Sequence, residues 1–260
     1  MPYLSQEQVH QFITTGYVRI DHAFGRELAE EGVDLLWKAT QLDRSDPASW
    51  TEPVIRIGEL AQPPFIKAAN SSVLVQCYED LLGDNWLPKT SLGSFPIRFP
   101  STKASVDTGW HVDAGFPGDD SSDYLSWRIN VYSRGRALLM LFLFSDTTEQ
   151  DAPTRLIPKS HLQVANFLAG RGETGRTFLE VGEWAKSIDD RYIELATGSA
   201  GTVYLCHPFL VHAAQQHTGD KPKFMAQPAL FPKREFALAG DVAYLCPVEQ
   251  AIVAGIMHAG

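Results

Sequence analysis

The sequence predicts a mainly β fold, an all-β barrel or jelly roll, with helices that buttress one sheet. From about Leu92 to Pro232, short apolar or alternating segments recur between turn residues, which is typical of strands in such folds. The first ninety residues instead carry apolar side chains mainly at helical spacing. We expect one domain over residues 1–260, with a helical part at about 1–90 and a β core at about 92–232.

The N-terminal elements are predicted from capping residues and periodicity. Ser5 and Gln8 form a capping-box pattern before a helical apolar repeat, and Gly16 can end that helix. The pattern then predicts a strand at 17–20 and helices at 27–42 and 70–82.

Seven strands are predicted for the β core: 94–99, 110–113, 128–132, 137–144, 154–157, 201–206 and 223–231. The longest apolar run, 137–144, has the length of a buried strand and is far too short to cross a membrane. Residues 171–196 interrupt the strand pattern and are expected to form a helical or irregular insert.

Composition excludes several classes of function. The formal net charge is −9 and there is no basic run, so a nucleic-acid partner is not expected. The three cysteines are scattered and form no CxxC pair, which disfavours a disulfide framework or a cysteine zinc site. The first residues lack the features of a signal peptide. We therefore expect a cytoplasmic protein with neither membrane nor nucleic-acid partner.

His111 and Asp113 are the most informative residues for function. In an extended segment, side chains at i and i+2 point to the same face, so an imidazole and a carboxylate can meet at one point. A distant histidine, His212, would complete a set of two histidines and one carboxylate. Such a facial triad holds non-haem Fe(II) and leaves open positions for oxygen chemistry.

Three histidines compete for the third position. His212 follows an apolar segment and precedes two alanines, which leave room for a metal and its ligands. His207 is the alternative, whereas His217 lies in a polar turn and is expected to be solvated. His161 is expected to have a structural role.

Lys223 is the predicted cation for a cosubstrate. If the metal carries 2-oxoglutarate, the keto acid chelates through its C1 carboxylate and keto oxygen, and its C5 carboxylate needs a cation inside the barrel. Lys223 lies eleven residues after His212, beyond a turn, where we expect the neighbouring antiparallel strand. Lys221 is expected to lie in that turn and to be solvated.

Candidate substrate residues surround the H-x-D motif in the sequence. The loop 114–130 follows two proposed ligands and could form a lid over the metal. The candidates are Arg98, Phe116, Tyr124, Arg128 and Asn130, with Arg134 as a further one.

Four segments, in order, resemble the phytanoyl-CoA dioxygenase family of Fe(II)/2-oxoglutarate oxygenases. They are the opening helix and strand at 4–18, the proximal motif GWHVD at 109–113, RLIPKSH at 155–161 and HPFLVH at 207–212. Three positions depart from the family pattern: Lys223 replaces the usual Arg, Ala214 replaces a hydroxyl residue, and Lys159 replaces a Gly.

The resemblance implies a double-stranded β-helix, Fe(II), O2 and 2-oxoglutarate converted to succinate and CO2, with a small molecule as substrate. It implies His111, Asp113 and His212 as iron ligands and leaves hydroxylation, desaturation, epimerisation and ring formation open. The alternatives are a cupin-like metal enzyme that uses no keto acid (an isomerase, a hydrolase or a cofactor-independent dioxygenase) and a non-catalytic small-molecule-binding module.

Overall fold

The computed structural model describes residues 2–257. Its α-helices are α1 (Gln6–Thr15), α2 (Arg26–Thr40), α3 (Pro63–Ala69), α4 (Ser72–Leu82), α5 (Ser160–Ala169), α6 (Phe178–Ala185) and α7 (Pro247–Met257). Its strands are β1 (Tyr17–Ile20), β2 (Val54–Ile57), β3 (Phe95–Arg98), β4 (Arg128–Ile129), β5 (Leu138–Leu143), β6 (Arg155–Leu156), β7 (Arg176–Thr177), β8 (Glu194–Leu195), β9 (Val203–Cys206), β10 (His212–Ala213), β11 (Met225–Ala226) and β12 (Ala229–Leu230).

The larger sheet is antiparallel, with strand order β1-β9-β5-β11, and β12 also pairs with β5. The strands β2 and β3 form a separate antiparallel ladder. A single bridge between Arg98, the last residue of β3, and Lys223 joins this ladder to the segment that leads into β11. The larger sheet therefore continues through this bridge to β3 and β2.

The smaller sheet has the order β10-β6-β8, and a single bridge adds His111 beside His212 of β10. Leu156 of the smaller sheet belongs to the same buried apolar cluster as Leu141 and Tyr204 of the larger sheet. Because side chains from both sheets share this cluster, the sheets face each other as in a jelly roll.

Strand β5 is buried on both faces. Leu138, Met140 and Phe142 pack in the main core, whereas the alternating Leu139, Leu141 and Leu143 pack between the sheets. Helix α2 approaches the same region, and a Cβ at Gly32 would lie 2.8 Å from the Phe144 ring. Burying each such large side chain contributes roughly 1.5–3 kcal/mol, which explains why the predicted strand 137–144 is continuously apolar.

The N-terminal predictions agree with the structure. Ser5 Oγ accepts from the backbone N–H of Gln8 at 3.2 Å, while Gln8 Oε1 accepts from the N–H of Ser5 at 2.9 Å. Gly16 ends α1 with φ of +90°, which glycine adopts readily. The helices predicted at 27–42 and 70–82 are α2 and α4, with ends shifted by one or two residues.

Other elements differ from the sequence predictions. Helices α3, α5 and α7 and strand β2 were not predicted, and the 171–196 insert contains β7, α6 and β8. The predicted strand 110–113 contributes only the bridge at His111. The predicted strands of the core are shorter in the structure because bridges and turns replace much of the ladder. Among helices described up to Met257, none is long and apolar enough to cross a bilayer.

Candidate metal centre

The three predicted ligands His111, Asp113 and His212 lie together. His111 and His212 exchange backbone hydrogen bonds of 3.0 Å, and their ring centroids are 4.4 Å apart. Asp113 Oδ1 lies 3.8 Å from His111 Nε2 and 3.9 Å from His212 Nε2. Ligand atoms held at roughly 2.0–2.2 Å from one ion lie roughly 3–4 Å apart, so this spacing fits a single metal ion.

Backbone carbonyls orient the two imidazole rings. His111 Nδ1 lies 2.9 Å from Gly109 O, and His212 Nδ1 lies 3.0 Å from Leu210 O. A carbonyl oxygen only accepts, so we assign the ring proton to Nδ1 in both histidines. The Nε2 lone pair of each ring then faces the other ligands, which is the form that binds a metal.

Arg136 sets the charge of the carboxylate. Its Nη1 lies 3.2 Å from Asp113 Oδ2, and its Nε donates to Ala114 O at 2.8 Å. Burial raises the pKa of Asp113, but the charges of Arg136, His212 and His111 outweigh burial and bring it to about 2. Burial, followed by His111, lowers the pKa of His212 to about 4. At neutral pH Asp113 is therefore anionic and His212 neutral, as divalent metal binding requires.

Sequence reasoning missed two residues that contact the triad, Arg136 and Gln227. Gln227 Nε2 lies 3.1 Å from His212 Nε2, the ligand atom of that ring. Alternation from Lys223 places Gln227 on the interior face, so this residue had a detectable signal. Arg136 had none, because a buried carboxylate requires a cation but no spacing rule identifies which residue supplies it.

The competing histidines lie elsewhere. His207 is fully buried, its ring packs against those of Phe12 and His161, and its Nδ1 accepts from Phe209 N at 3.1 Å. His161 Nε2 lies 3.0 Å from the carbonyl oxygen of Ile13, a structural contact. His217 is only 3% exposed, so the prediction that it is solvated was wrong. Its Nε2 lies 2.8 Å from the Lys221 carbonyl, which satisfies it inside its own turn.

Two cavities adjoin the triad and share His111, Gln227, Phe178, Pro96 and Arg56. The first, of about 420 Å³, is lined also by Arg98, Asp107, Gly109, Trp110, Thr154, Leu179, Gly182, Glu183, Lys186, His212 and Ala214. The second, of about 540 Å³, is lined also by Glu59, Gly93, Ser94, Asp113, Ala114, Gly115, Tyr124, Trp127, Gly135, Arg136, Ala229 and Phe231. A ligand in either cavity would therefore reach the triad.

Two of the predicted substrate residues line these cavities, Arg98 the first and Tyr124 the second. Tyr124 and Trp127, from the loop predicted as a lid, form one wall of the second cavity, and the Tyr124 ring packs against Phe178 of α6. This part of the loop therefore lies beside His111 and Asp113 in the same cavity.

The other predicted substrate residues line neither cavity. Arg128 donates to the carbonyls of Thr174 and Gly175, and buried Asn130 donates to that of Glu173, so both fasten the segment before β7. The ring of Phe116 lies 5.0 Å from the Arg134 guanidinium, and Arg134 pairs with Glu235. The side chains of these four residues therefore contact other parts of the protein and not the cavities.

Lys223 lies inside the barrel, as predicted, on the face that carries Met225 and Gln227. It is 1% exposed, and its Nζ donates to Ala152 O at 2.5 Å. Burial first, and then the charge of Arg98, lower its pKa well below the usual range. Lys223 lines neither cavity, whereas the exposed Lys221 lies in the turn as predicted.

A jelly roll that brings two histidines and one carboxylate together beside cavities defines a cupin-like metal protein. The family model Phytanoyl-CoA dioxygenase (PhyH) matches residues 4–225, and the chain belongs to this family. The match confirms the predicted family and the predicted dioxygenase class.

Solved structures confirm the predicted fold class. HygX from Streptomyces hygroscopicus, with nickel and 2-oxoglutarate bound, is 16% identical with a TM-score of 0.58, over 90% of both chains. EctD from S. alaskensis, with 2-oxoglutarate and 5-hydroxyectoine, is 22% identical with a TM-score of 0.58, over 89% of this chain and 77% of that one.

The carbocyclase SnoK from nogalamycin biosynthesis is 16% identical with a TM-score of 0.55, over 88% and 84% of the two chains. A search of curated proteins finds no match. These identities are too low to show more than a shared fold.

Proposed function

We propose that this protein is a non-haem Fe(II)/2-oxoglutarate-dependent oxygenase that oxidises a small molecule. The observation that carries the proposal is the convergence of His111 Nε2, His212 Nε2 and the anionic carboxylate of Asp113. The family match and the metal and keto acid bound in HygX support it. When bound, iron and 2-oxoglutarate would supply the oxidising chemistry, in which the keto acid becomes succinate and CO2.

The residues of the chain would perform three tasks in this reaction. His111, Asp113 and His212 would hold the ion on one side and leave its other positions free for the cosubstrate and oxygen. Arg136 would keep Asp113 ionised and fix its orientation through the contact with Oδ2. The two cavities would hold the organic ligands next to the ion.

Aromatic side chains would exclude water from the reacting groups. Phe178 lines both cavities, and Tyr124 packs against it. Tyr124 Oη accepts from the backbone N–H of Ala114 at 3.1 Å, which fixes the ring beside the ligand segment. The substrate would therefore enter a preformed cavity with an aromatic wall beside the metal.

Anaerobic spectroscopy tests the proposal without knowledge of the substrate. Addition of Fe(II) and then 2-oxoglutarate to the protein should produce a weak visible metal-to-ligand charge-transfer band. Asp113→Ala should not produce this band at the same concentrations. If Fe(II) binds to the wild type but no keto acid produces the band, a cupin-like enzyme that uses no keto acid replaces this proposal.

A further inference from the structure

Two buried basic side chains lie opposite each other in the barrel. Arg98 and Lys223 are directly opposite in an antiparallel bridge, with backbone hydrogen bonds of 3.1 and 2.8 Å. Directly opposed residues project to the same face of a sheet. Arg98 is 4% exposed and Lys223 is 1% exposed, so both cations have lost almost all contact with water. Both are candidates for contact with the distal carboxylate of a keto acid.

The Lys223 side chain already has a hydrogen-bond partner within the protein. Its Nζ donates to Ala152 O at 2.5 Å, and it lines neither cavity beside the triad. Burial and the neighbouring Arg98 charge lower its pKa, which favours the neutral amine. A neutral amine held by a backbone carbonyl is a poor partner for a carboxylate.

Arg98 faces the cavity that contains both histidine ligands. Its Nη1 donates to Ser105 Oγ at 3.0 Å and its Nη2 to Asp107 Oδ2 at 2.8 Å. A guanidinium has five N–H groups, so these two contacts leave three for a ligand. The group stays charged even when buried, and its planar fork matches a carboxylate.

The charged side chains that line the first cavity include one more positive charge than negative charges. Asp107 is shared between Arg98 and Arg56, and all three residues line the first cavity. At the rim of this cavity, Lys186 and Glu183 pair with each other at 2.5 Å. The cavity therefore carries a net charge of about +1 at the end marked by Arg98, which favours an anionic group there.

We infer that Arg98, rather than Lys223, binds the distal carboxylate of 2-oxoglutarate in the first cavity. This inference rests on the proposed function, because it takes the keto acid to be bound to the metal beside His111 and His212. Lys223 instead secures the backbone at Ala152. The cation that binds the distal carboxylate would therefore come from Arg98 on β3 and not from Lys223 on the opposite side of the bridge.

Two keto acids measure this contact directly. 2-Oxopentanoate has the chain of 2-oxoglutarate with a methyl group in place of the distal carboxylate, so it shares only the metal-binding end. Each is titrated anaerobically into Fe(II)-loaded wild type, Arg98→Met and Lys223→Met, with Lys221→Met as the exposed control. The charge-transfer band reports binding without turnover.

Wild type should bind 2-oxoglutarate at least ~10-fold more tightly than 2-oxopentanoate, a difference of about 1.4 kcal/mol. Arg98→Met should lose this preference and bind 2-oxopentanoate as wild type does, which also shows that its metal site is folded. Lys223→Met and Lys221→Met should keep the preference. If Arg98→Met does not fold, Arg98→Gln, which can still bond to Ser105 and Asp107, takes its place with the same expected loss.

The results separate failure of this inference from failure of the proposed function. Retention of the preference in the Arg98 variant, or its loss in Lys223→Met, would overturn the assignment of the anchor and leave the oxygenase intact. Absence of a band with either keto acid in the wild type would overturn the proposed function itself.

Discussion

Two single bridges, eleven residues apart along one stretch of chain, give opposite electrostatic results. The first places His212 beside His111, and the second places Lys223 beside Arg98. At the first bridge, Arg136 balances the charge of Asp113. The carboxylate is therefore ionised while His212 is neutral, and both are in the protonation state that binds a metal. At the second, two cations face each other, and burial favours loss of the lysine proton. A single antiparallel bridge positions each pair of side chains, but the surrounding charges decide the protonation state of the side chains in that pair.

The largest expected effect is at the first bridge. Asp113→Ala removes the anionic ligand, and we expect Fe(II) affinity to fall beyond the roughly 10–100-fold that loss of an outer-shell partner costs. Succinate formation from 2-oxoglutarate should stay low even in excess Fe(II), because the carboxylate also orients the bound ion. Anaerobic calorimetry with Fe(II) and a succinate assay measure both.

The control is Asp119→Ala, because Asp119 is exposed in the same loop. It should match the wild type in both measurements. If Asp113→Ala binds Fe(II) as tightly as the wild type, Asp113 is not a metal ligand, and the contrast drawn between the two bridges fails at the first one.

Arg136→Met tests the balancing charge. The Asp113 side chain is 15% exposed, and breaking a buried ion pair strands the remaining charge, so we expect a loss of roughly 3 kcal/mol in the apo protein. Fe(II) would restore a positive charge beside Asp113. The metal should therefore raise the unfolding temperature of Arg136→Met more than that of the wild type, as calorimetry would show.

Arg134→Met serves as the matched control for this prediction. Arg134 pairs with Glu235 near the surface, and exposed pairs contribute less than about 1 kcal/mol. Equal Fe(II) stabilisation of wild type and Arg136→Met would show that Arg136 does not compensate Asp113.

The sequence was informative where function depends on local spacing. The i, i+2 relation of His111 and Asp113 and the small residues after His212 were enough to select three side chains that the fold brings together. The opening capping box and Gly16 were equally local and equally predictable. Lys159 adopts a φ of +69° before α5, the conformation that explains a glycine at this position in the family pattern.

The sequence was uninformative where an outcome depends on partners distant in the chain. Arg136 contacts a carboxylate 23 positions away, and Arg98 meets Lys223 only through sheet pairing. Asn130 was predicted to be a pocket residue because it ends the proposed lid, but its amide donates to the carbonyl of Glu173. Spacing in the sequence identifies residues with the side-chain types that can bind a metal or a substrate. Which of these side chains point into the cavity is decided only by the folded barrel.

The last prediction concerns the second bridge, and it appears as a pH dependence of stability. The folded state lowers the pKa of Lys223 below its ordinary value of 10.5, so the unfolded chain binds the proton more strongly. Deprotonation therefore costs stability at neutral pH, and this cost disappears as the pH rises toward 10.5. In Lys223→Met the cost is absent at every pH. As the pH rises toward 10.5, the free energy of unfolding of the wild type should therefore increase relative to that of the variant, with a slope of at most about 1.4 kcal/mol per pH unit.

Urea unfolding of both proteins at several pH values up to about 10 measures this difference in the free energy of unfolding. Both chains contain the same thiols and tyrosines, so the contributions of these groups to the pH dependence cancel in the comparison. Lys221→Met removes the same charge two residues earlier from an exposed position and should follow the wild type. A constant difference between wild type and Lys223→Met would mean that Lys223 keeps its proton in the folded barrel. In that case the buried pair would present two charges to the cavity, and the contrast between the two bridges would no longer hold.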